Sequence, residues 1–294
     1  MLQDKSIIII TPYFGKWPDW MPFYIESCRW NPTINWLFYT DCGIPNNHPS
    51  NMKFIEISFS DYKHMVSEKL KIQFDPTSPY KLCDIKPTYG YLHEDSIRDF
   101  DYFAFGDLDL IYGDLRKHLG KLQEYNLIST HNTRVSGHLC LHKNTKKMRE
   151  AFKQCNNWQL SLSTEKHLAF DEKDYSRVFI RRKNWPKTAN KVISQCFPYQ
   201  RNCLFNEAFS TPNCRIPWID GSFNFPEEWY WEKGKLTTNN TDRDFMYFHF
   251  FYWKDNQWPK GYIDSSLLKQ FNSTIPPIAW KITKKGFSPL PTTH

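Results

Sequence analysis

The feature that most constrains the fold of this 294-residue chain is the segment of residues 100–115, which reads FDYFAFGDLDLIYGDL. Its aromatic and apolar stretch at 102–105 is typical of a buried β-strand, and Gly106 interrupts that stretch where the strand should end. Asp107 and Asp109 follow with one residue between them. Because side chains alternate in extended backbone, the sequence predicts two carboxylates on one side of the chain, at the strand end where α/β proteins bind ligands.

This pair of carboxylates predicts a metal site. Two carboxylates a few ångströms apart repel each other unless a positive charge lies between them, and a hard divalent cation such as Mg²⁺ or Mn²⁺ does this best. Such a cation would in turn hold the phosphates of a ligand. The alternative is a plain turn after the strand, with both aspartates solvated. The apolar residues on both sides of the pair favour the metal site.

Strand-like and helix-like patterns alternate along the N-terminal part of the chain. We expect strands at 6–11, 35–40 and 53–58 and helices at 20–30, 61–72 and 87–97. This alternation at short spacing predicts a parallel α/β sheet, the arrangement of a nucleotide-binding half. Further on, we expect helices at 115–124, 145–158 and 167–178 and strands at 127–130, 136–144 and 246–253. The region after about residue 192 is interpreted as a loop-rich elaboration, and the basic tail after Lys281 is expected to be loosely ordered.

The composition narrows the class of protein. Basic residues are mostly dispersed despite a net charge of +7, which is unlike a nucleic-acid-binding arm but suits phosphate-bearing substrates or an anionic membrane surface. Aromatic residues make up 17% of the chain, and surplus Trp and Tyr often line carbohydrate or nucleotide sites. No stretch approaches the ~18 apolar residues of a membrane span, so membrane contact would be peripheral. The eight scattered cysteines and the lack of a signal-peptide pattern predict free thiols in a reducing cytosol.

Four motifs, in order along the chain, carry a resemblance to a known family. They are KLCDIKPTYG at 81–90, FGDLDLIYGDL at 105–115, SGHL at 136–139 and HFFYWK at 249–254. Together they resemble nucleotide-sugar glycosyltransferases of the GT-A type, and more closely a bacterial polysaccharide-associated group that is GT-A-like and largely of unknown function. The resemblance extends over most of the chain.

This resemblance implies an α/β, Rossmann-like GT-A fold: a mostly parallel sheet flanked by helices, with a loop-rich C-terminal elaboration. It implies one catalytic domain at 1–280, with a nucleotide-binding half at about 1–130 and an acceptor half at about 131–280, followed by a basic tail at 281–294. The implied function is metal-dependent, hexosyltransferase-like transfer of a sugar from a nucleotide-diphosphate donor, a UDP-sugar, to a glycan or lipid-linked acceptor in bacterial surface polysaccharide (capsule) biosynthesis.

The resemblance also assigns ligand-binding residues. Asp107 and Asp109 match the D-x-D motif that holds Mn²⁺ or Mg²⁺, and Asp107 also matches a ribose contact. His249 matches a histidine that some GT-A enzymes add as a third metal ligand, and a mixed oxygen and nitrogen site favours Mn²⁺ somewhat. The alternative is that His249 is a hydrogen-bonded core histidine. The residues that match contacts to the nucleotide sugar are Thr11, Tyr13, Asp41, Lys81, Asp84, Lys86 and Lys254. For Lys81 and Asp84 the alternative is a surface pair at i, i+3.

Asp171 and Glu172 resemble the acidic pair that many GT-A enzymes hold near the donor sugar and the acceptor. In an inverting enzyme one of them would be the general base, and in a retaining enzyme it would stabilise an oxocarbenium-like transition state. The alternative is a solvated acidic patch, and the stereochemistry stays open. His138 is a candidate contact to the acceptor, and Asp114 competes with Asp107 for its role.

Two other functions fit parts of the sequence. A metal-dependent nucleotidyltransferase also uses paired aspartates on a strand, although the usual glycine-rich phosphate-binding motifs are missing. A non-catalytic carbohydrate-binding protein would explain the tryptophans, but it has no need for a D-x-D motif with a distant histidine. We expect a cytoplasmic protein with peripheral contact to the anionic inner membrane face through two basic–aromatic clusters, residues 181–183 near Trp185 and Lys284–Lys285 near Phe287.

Overall fold

The computed structural model describes residues 5–120, 122–180, 185–212, 216–273 and 276–290. The strands within these ranges are β1 (Ile7–Tyr13), β2 (Ile34–Thr40), β3 (Met52–Glu56), β4 (Tyr102–Gly106), β5 (Leu110–Tyr112), β6 (Leu127–Ser129), β7 (Leu139–Lys143), β8 (Cys203–Phe205), β9 (Glu228–Glu232), β10 (Lys235–Thr238), β11 (Tyr247–His249), β12 (Ala279–Thr283) and β13 (Gly286–Ser288). The helices within them are α1 (Met21–Arg29), α2 (Phe59–Leu70), α3 (Leu82–Ile85), α4 (Tyr89–Leu92), α5 (Glu94–Ile97), α6 (Leu115–Leu119), α7 (Lys146–Arg149), α8 (Trp158–Ser163), α9 (Ser176–Phe179), α10 (Lys187–Ser194), α11 (Phe251–Asn256) and α12 (Ser265–Phe271).

The central sheet has seven strands in the order β3-β2-β1-β4-β7-β6-β8. The first four of these strands are parallel, β7 runs antiparallel between β4 and β6, and β8 is parallel to β6. Strand β1 pairs with β2 on one side and β4 on the other, and its residues 7–10 are buried on both faces, which explains their continuous apolar run. The predicted α/β class, a mostly parallel sheet flanked by helices, is confirmed.

Helices cover both faces of this sheet. Side chains of β1 alternate between the faces, so that Ile8 and Ile10 pack in a cluster that includes α2, while Ile7 and Ile9 pack in one that includes α1. The sheet is therefore the middle layer of three, with a hydrophobic core on each side. The carboxyl ends of its parallel strands are left free for a binding site.

A second sheet, in the order β10-β9-β12-β13, packs against a core rich in aromatic residues. Trp231 and Trp280 face each other across the β9–β12 pair and stack with ring centroids 3.9 Å apart. Trp229 of the same sheet stacks on Phe248 at 4.3 Å. All four side chains are fully buried. These tryptophans belong to the core and do not form a ligand-stacking surface.

The loose order predicted for the chain after Lys281 is wrong for the described residues up to 290. Strands β12 and β13 pair antiparallel, and Ile282 and Phe287 are buried in the aromatic core. Two short strands joined through a pair of lysines contain too few apolar residues to give a visible strand pattern in the sequence.

A short antiparallel ribbon of β5 and β11 joins the acidic segment to the C-terminal part of the chain. The predicted strand at 246–253 ends within this ribbon, because the Phe250 N–H donates to the Asp109 carbonyl oxygen (3.2 Å) and α11 begins at Phe251. Aromatic residues pack equally well in a buried strand and a buried helical turn, so the sequence pattern hides this boundary. Lys254 is consequently a helical residue.

Four predicted helices are broken into shorter elements. The segment 87–97 contains α4 and α5, and the segment 115–124 contains α6 and a 3₁₀ turn at Leu122–Glu124. The segment 167–178 consists mainly of turns before α9, because Ala169 has a positive φ of 54° that interrupts a helix. The segment 145–158 divides into α7 and a 3₁₀ turn at Ala151–Gln154.

Three features of the described residues concern the predicted compartment and membrane contact: the helices, the cysteines and the basic–aromatic clusters. No helix within the described ranges is both long and apolar enough to cross a membrane, and the seven cysteines in those ranges are free thiols. Residues 181–183, one predicted membrane-contact cluster, lie outside the described residues. In the other cluster Lys284 forms an ion pair with Glu227 (3.0 Å) and Phe287 is buried. Peripheral membrane contact stays a prediction.

Asn31 ties α1 to the segment that follows the acidic pair. Its buried amide donates to the carbonyl oxygens of Ser27 and Gly113 (3.0 and 2.8 Å) and accepts from the Leu115 N–H (2.9 Å). We expect Asn31→Ala to lower the free energy of unfolding by about 1–3 kcal/mol, because buried backbone groups lose their partner. Urea denaturation measures the change, with the exposed Asn46→Ala as the control. A loss no greater than that of the control would contradict this role.

Candidate active site

A cavity of about 630 Å³ lies at the carboxyl ends of β1 and β4. This is the position at which open α/β sheets bind ligands. Most of the site residues predicted from the sequence line it: Thr11, Tyr13, Lys86, Asp107, Asp109, His138, Asp171, Glu172, His249 and Lys254. The fold therefore brings together side chains from both halves of the chain.

Asp107, Asp109 and His249 form a candidate metal-binding group, because one ligand atom of each lies within 4.8 Å of the others. The two aspartates follow β4 directly. The pairing of β5 with β11 then sets His249 opposite Leu110, which brings its Nε2 to 3.4 Å from Asp109 Oδ1. Strand pairing between distant parts of the chain thus assembles the predicted trio.

Lys254 balances the charge of Asp109. Its Nζ lies 2.9 Å from Asp109 Oδ2, on the side of the carboxylate away from His249. Burial alone would raise the pKa of Asp109, but His249 and Lys254 outweigh burial and hold that pKa well below its ordinary value. Asp109 is therefore ionised although it is buried.

Lys86 balances the charge of Asp107. It lies in the 3₁₀ turn after α3, forms an ion pair with Asp107 and donates to the Gly137 carbonyl oxygen at 2.8 Å. Burial would lower the pKa of Lys86, but Asp107 and further acidic neighbours hold it above its ordinary value. The ammonium group is therefore charged in the interior of the site.

The donor set fits a divalent cation such as Mn²⁺ or Mg²⁺. Two carboxylates supply hard oxygen ligands and one imidazole supplies a nitrogen. The ion pair with Lys254 leaves one oxygen of Asp109 available to a cation, because Lys254 contacts only Oδ2 while Oδ1 faces His249. Three protein ligands leave coordination positions for the oxygen atoms of a phosphate-bearing ligand.

The ring of His249 is held from both sides. Its Nδ1 lies 3.3 Å from Thr211 Oγ1, which leaves Nε2 facing Asp109. The ring also stacks on His138 with centroids 4.4 Å apart, and His138 Nε2 is hydrogen-bonded to Tyr247 Oη at 2.8 Å. Burial and the neighbouring His249 lower the pKa of His138 well below 6.5, so its ring is neutral. Contacts of this kind orient a metal-binding imidazole.

Asp171 is a buried carboxyl group that lines the same cavity. Its exposed fraction is 3%. Burial raises the pKa of Asp171 from 3.8 to about 7, against the lowering effect of Lys86 and with a further rise from Glu172 and Asp107. A carboxyl group with this pKa can take up or release a proton near neutral pH, which is the requirement for general acid–base chemistry.

Gly137 allows the acidic pair to approach the SGHL motif. A Cβ at this position would lie 2.7 Å from Asp171 Oδ2 and 3.2 Å from Glu172 Oε1. A larger residue would therefore displace both carboxyl groups. Glu172 is less buried than Asp171, and its Oε2 lies 3.5 Å from the Arg134 guanidinium Nε.

Four candidates from the sequence do not line the cavity. Lys81 and Asp84 form a buried ion pair of 2.8 Å and are an i, i+3 pair of the interior, not of the surface. Asp41, exposed after β2, accepts the Gly15 N–H at 2.7 Å and so fixes the loop that follows β1. Asp114 is the N-cap of α6, where it accepts the Lys117 N–H at 3.0 Å.

The cavity also contains residues that the sequence did not single out. Trp20 donates Nε1–H to the Leu108 carbonyl oxygen at 3.0 Å, and its ring centroid lies 5.7 Å from Lys254 Nζ. Trp20 therefore contacts the acidic segment directly. Arg134 and the exposed Tyr80 line the cavity as well. Tyr80 directly precedes the KLCDIKPTYG motif, which is a usable signal, whereas nothing in the sequence distinguishes Arg134.

The fold and the site define an α/β protein with a metal-binding group at the carboxyl end of a mostly parallel sheet. The chain belongs to DUF6625, a family of unknown function whose model matches residues 9–272. No curated protein sequence matches the chain.

Two solved structures show similarity in part of the fold. One is the galactosyltransferase LgtC in complex with donor and acceptor sugar analogues, with 12% identity and a TM-score of 0.35 over 59% of this chain and 69% of that chain. The other is the glycosyltransferase GlyE of Streptococcus pneumoniae TIGR4, with 13% identity and a TM-score of 0.33 over 68% of this chain and 45% of that chain. Similarity at this level does not carry an activity from one protein to another.

The raised pKa of Asp171 predicts a pH-dependent cost in stability. The folded protein keeps this carboxyl protonated up to about pH 7, whereas the unfolded chain releases the proton near 3.8, so the stability that it contributes is present at low pH and lost as the pH rises to 7. Asp171→Asn cannot ionise. We therefore expect its free energy of unfolding, relative to the wild type, to increase between these pH values by on the order of a few kcal/mol.

Urea denaturation of the metal-free proteins across this pH range measures the difference. The matched control is Asp174→Asn, which makes the same change at an exposed ion pair three residues on. A difference between Asp171→Asn and the wild type that does not vary with pH would contradict the raised pKa.

Proposed function

We propose that this protein is a metal-dependent glycosyltransferase that moves a sugar from a nucleotide-diphosphate donor, a UDP-sugar, to a glycan or lipid-linked acceptor in bacterial surface polysaccharide biosynthesis. The observation that carries the proposal is the group of Asp107, Asp109 and His249 at the carboxyl end of a mostly parallel sheet, with one lysine against each carboxylate. The negative charge of a diphosphate requires positive groups at this place. The requirement is greatest in the transition state, where negative charge develops on the leaving group.

The proposed nucleotide contacts lie at the end of β1. Thr11 and Tyr13 line the cavity there, and the Tyr13 ring stacks on Trp17 with centroids 5.4 Å apart. Asp41 holds the following loop through Gly15. These residues would bind the uridine, while Lys86 and Lys254 would contact the diphosphate as point charges. A bound Mn²⁺ or Mg²⁺ would add Lewis-acid stabilisation of the charge that develops on the departing diphosphate.

Asp171 is the proposed catalytic carboxylate. In an inverting reaction it would accept the proton of the acceptor hydroxyl as that oxygen bonds to the anomeric carbon and the bond to the diphosphate breaks. In a retaining reaction the same carboxylate would stabilise the oxocarbenium-like transition state. Its burial in the same cavity as the metal-binding group supports either role, and Lys86 pairs with Asp107 while it also lowers the pKa of Asp171.

The carbohydrate-binding alternative loses part of its support. Five of the twelve tryptophans, Trp36, Trp229, Trp231, Trp253 and Trp280, are fully buried in the core, whereas Trp20 and Trp218 line the cavity. The nucleotidyltransferase alternative shares the paired aspartates. Product analysis with UDP-sugars and, separately, with nucleoside triphosphates distinguishes the two reactions: release of pyrophosphate from a triphosphate without sugar transfer would favour the nucleotidyltransferase.

Asp109 provides the test of the metal group. We expect Asp109→Asn to abolish Mn²⁺-dependent UDP binding while the protein still folds, because the carboxylate that faces both His249 and Lys254 loses its charge. The measurement is the rise in melting temperature with UDP, with and without Mn²⁺, since a ligand that binds only the folded state stabilises it.

Asp114→Asn is the matched control for this variant. It makes the same substitution five residues away, at an N-cap outside the cavity where asparagine caps as well as aspartate. Its Mn²⁺-dependent UDP binding should equal that of the wild type. An Asp109→Asn protein that keeps the wild-type response would contradict the metal assignment.

Asp171 provides the test of the chemistry. With the UDP-sugar that gives the largest Mn²⁺-dependent thermal shift, we expect Asp171→Asn to lower kcat by ~10² to 10⁴, the range for a lost general base, with donor affinity unchanged. The wild-type kcat should rise with pH through about 7, as Asp171 loses its proton, and this rise should be missing in the variant.

Glu172→Gln shows whether the second acidic residue shares the role. Asp174→Asn is the control, because its carboxylate is paired with Arg177 on the surface. Wild-type turnover in both Asp171→Asn and Glu172→Gln would remove the acidic pair from the mechanism.

A further inference from the structure

The Lys81–Asp84 ion pair is buried away from the cavity, and its contacts reach a distant segment of the chain. The side chains of Lys81 and Asp84 are 2% and 0% exposed. Besides its contact with Asp84, Lys81 Nζ donates hydrogen bonds to the carbonyl oxygens of Ser161 and Lys166, at 3.0 and 2.9 Å. The ammonium group is thus engaged by the protein itself and is not directed at a ligand.

Asp84 holds the continuation of the same segment. Its Oδ2 and Oδ1 accept the backbone N–H groups of Leu168 and Phe170, both at 2.8 Å. His167 Nδ1 lies 3.2 Å from Oδ1 of the same carboxylate. Lys81 and Asp84 therefore hold residues 161–170 in place through hydrogen bonds to four backbone groups and a contact with His167.

The two amides that Asp84 accepts flank a residue in a disfavoured conformation. Ala169 has a φ of 54°, in the left-handed region that residues other than glycine rarely adopt. Because Asp84 accepts the N–H on each side, the carboxylate stabilises this turn. Asp171 follows two residues later and is directed into the cavity wall by the turn.

Lys86 lies in the same helical segment as Asp84. Helix α3 ends at Ile85, and the 3₁₀ turn Lys86–Thr88 follows it directly. Lys86 contacts Asp107 and the Gly137 carbonyl oxygen. The helical segment of residues 82–88 therefore contacts Asp107 through Lys86, and through Asp84 it contacts the residues that precede Asp171. These contacts together set the distance between the carboxyl groups of Asp107 and Asp171.

We propose that Lys81 and Asp84 are positioning residues, which hold Asp171 in a fixed place relative to the metal-binding group and so set the rate of transfer without touching the substrate. This inference rests on the proposed function. A buried ion pair adds little net stability compared with apolar residues of similar volume, because the cost of removing the charges from water offsets their attraction. What this pair supplies is the fixed geometry of the four backbone groups bonded to it.

The double variant Lys81→Met/Asp84→Asn tests the proposal, because it removes the pair and leaves no uncompensated charge in the interior. The matched control is Lys5→Met/Asp101→Asn. It makes the same substitutions at an ion pair of 2.9 Å at the amino end of β1, where Asp101 also accepts the backbone N–H of Ser6.

We expect kcat of the double variant to fall by ~10²-fold, the loss that a displacement of about 1 Å causes. Donor affinity should stay at the wild-type value, because Asp109 and Lys254 have no contact with the pair. Adding Ala169→Gly should recover part of the lost turnover, since glycine adopts a positive φ without steric cost. A merely structural role would lower the amount of folded protein and leave kcat per folded molecule unchanged.

Hydrogen exchange gives a second measurement, which needs no substrate. The amides of Leu168 and Phe170 should exchange slowly in the wild type, because they donate to a buried carboxylate. They should exchange faster in the double variant and at the wild-type rate in the control.

The outcomes separate this inference from the proposed function. Fast exchange of these two amides in the wild type would overturn the positioning role even if the double variant did not fold. Wild-type kcat in the double variant, or an equal loss in the control, would also overturn it. A wild-type protein with slow exchange but no sugar transfer would instead contradict the proposed function.

Discussion

The candidate active site depends on the balance between two carboxylates and two lysines. Asp107 and Asp109 lie close together in a partly buried cavity, where like charges repel more strongly than in water. Lys86 and Lys254 each face one of them and offset that repulsion. The two lysines lie on either side of the acidic segment in the sequence, so the charges balance only when both halves of the chain have folded around β4. With the site close to neutral, a bound divalent cation would make it positive, which suits a diphosphate.

The same cavity shifts the pKa values of two buried aspartates in opposite directions. At Asp109 the neighbouring His249 and Lys254 outweigh burial and hold the pKa low. At Asp171 burial outweighs Lys86, and acidic neighbours raise the pKa further. Carboxyl groups separated in this way divide the chemistry between them, since one keeps its charge while the other exchanges a proton near neutral pH.

The local parts of this arrangement could be predicted from the sequence. The apolar run of β1 and the aromatic run of β4 identify central strands, because a strand buried on both faces needs continuous apolar residues. Asp107 and Asp109 at the end of β4 follow from the same pattern, and so does a cavity at that edge of the sheet. Each of these predictions depends only on residues a few positions apart, and on the rule that parallel strands place their carboxyl ends together.

The tertiary structure alone decided which distant side chains meet there. His249 reaches Asp109 because β11 ends and pairs with β5 in one particular register, although the aromatic run continues beyond the strand. Lys81 and Asp84 lie within a few residues of Lys86, yet they are directed away from the cavity and hold residues 161–170 instead. Strand register and the facing of a short helix are set by packing between residues far apart in the chain, and a local sequence pattern contains no information about those contacts.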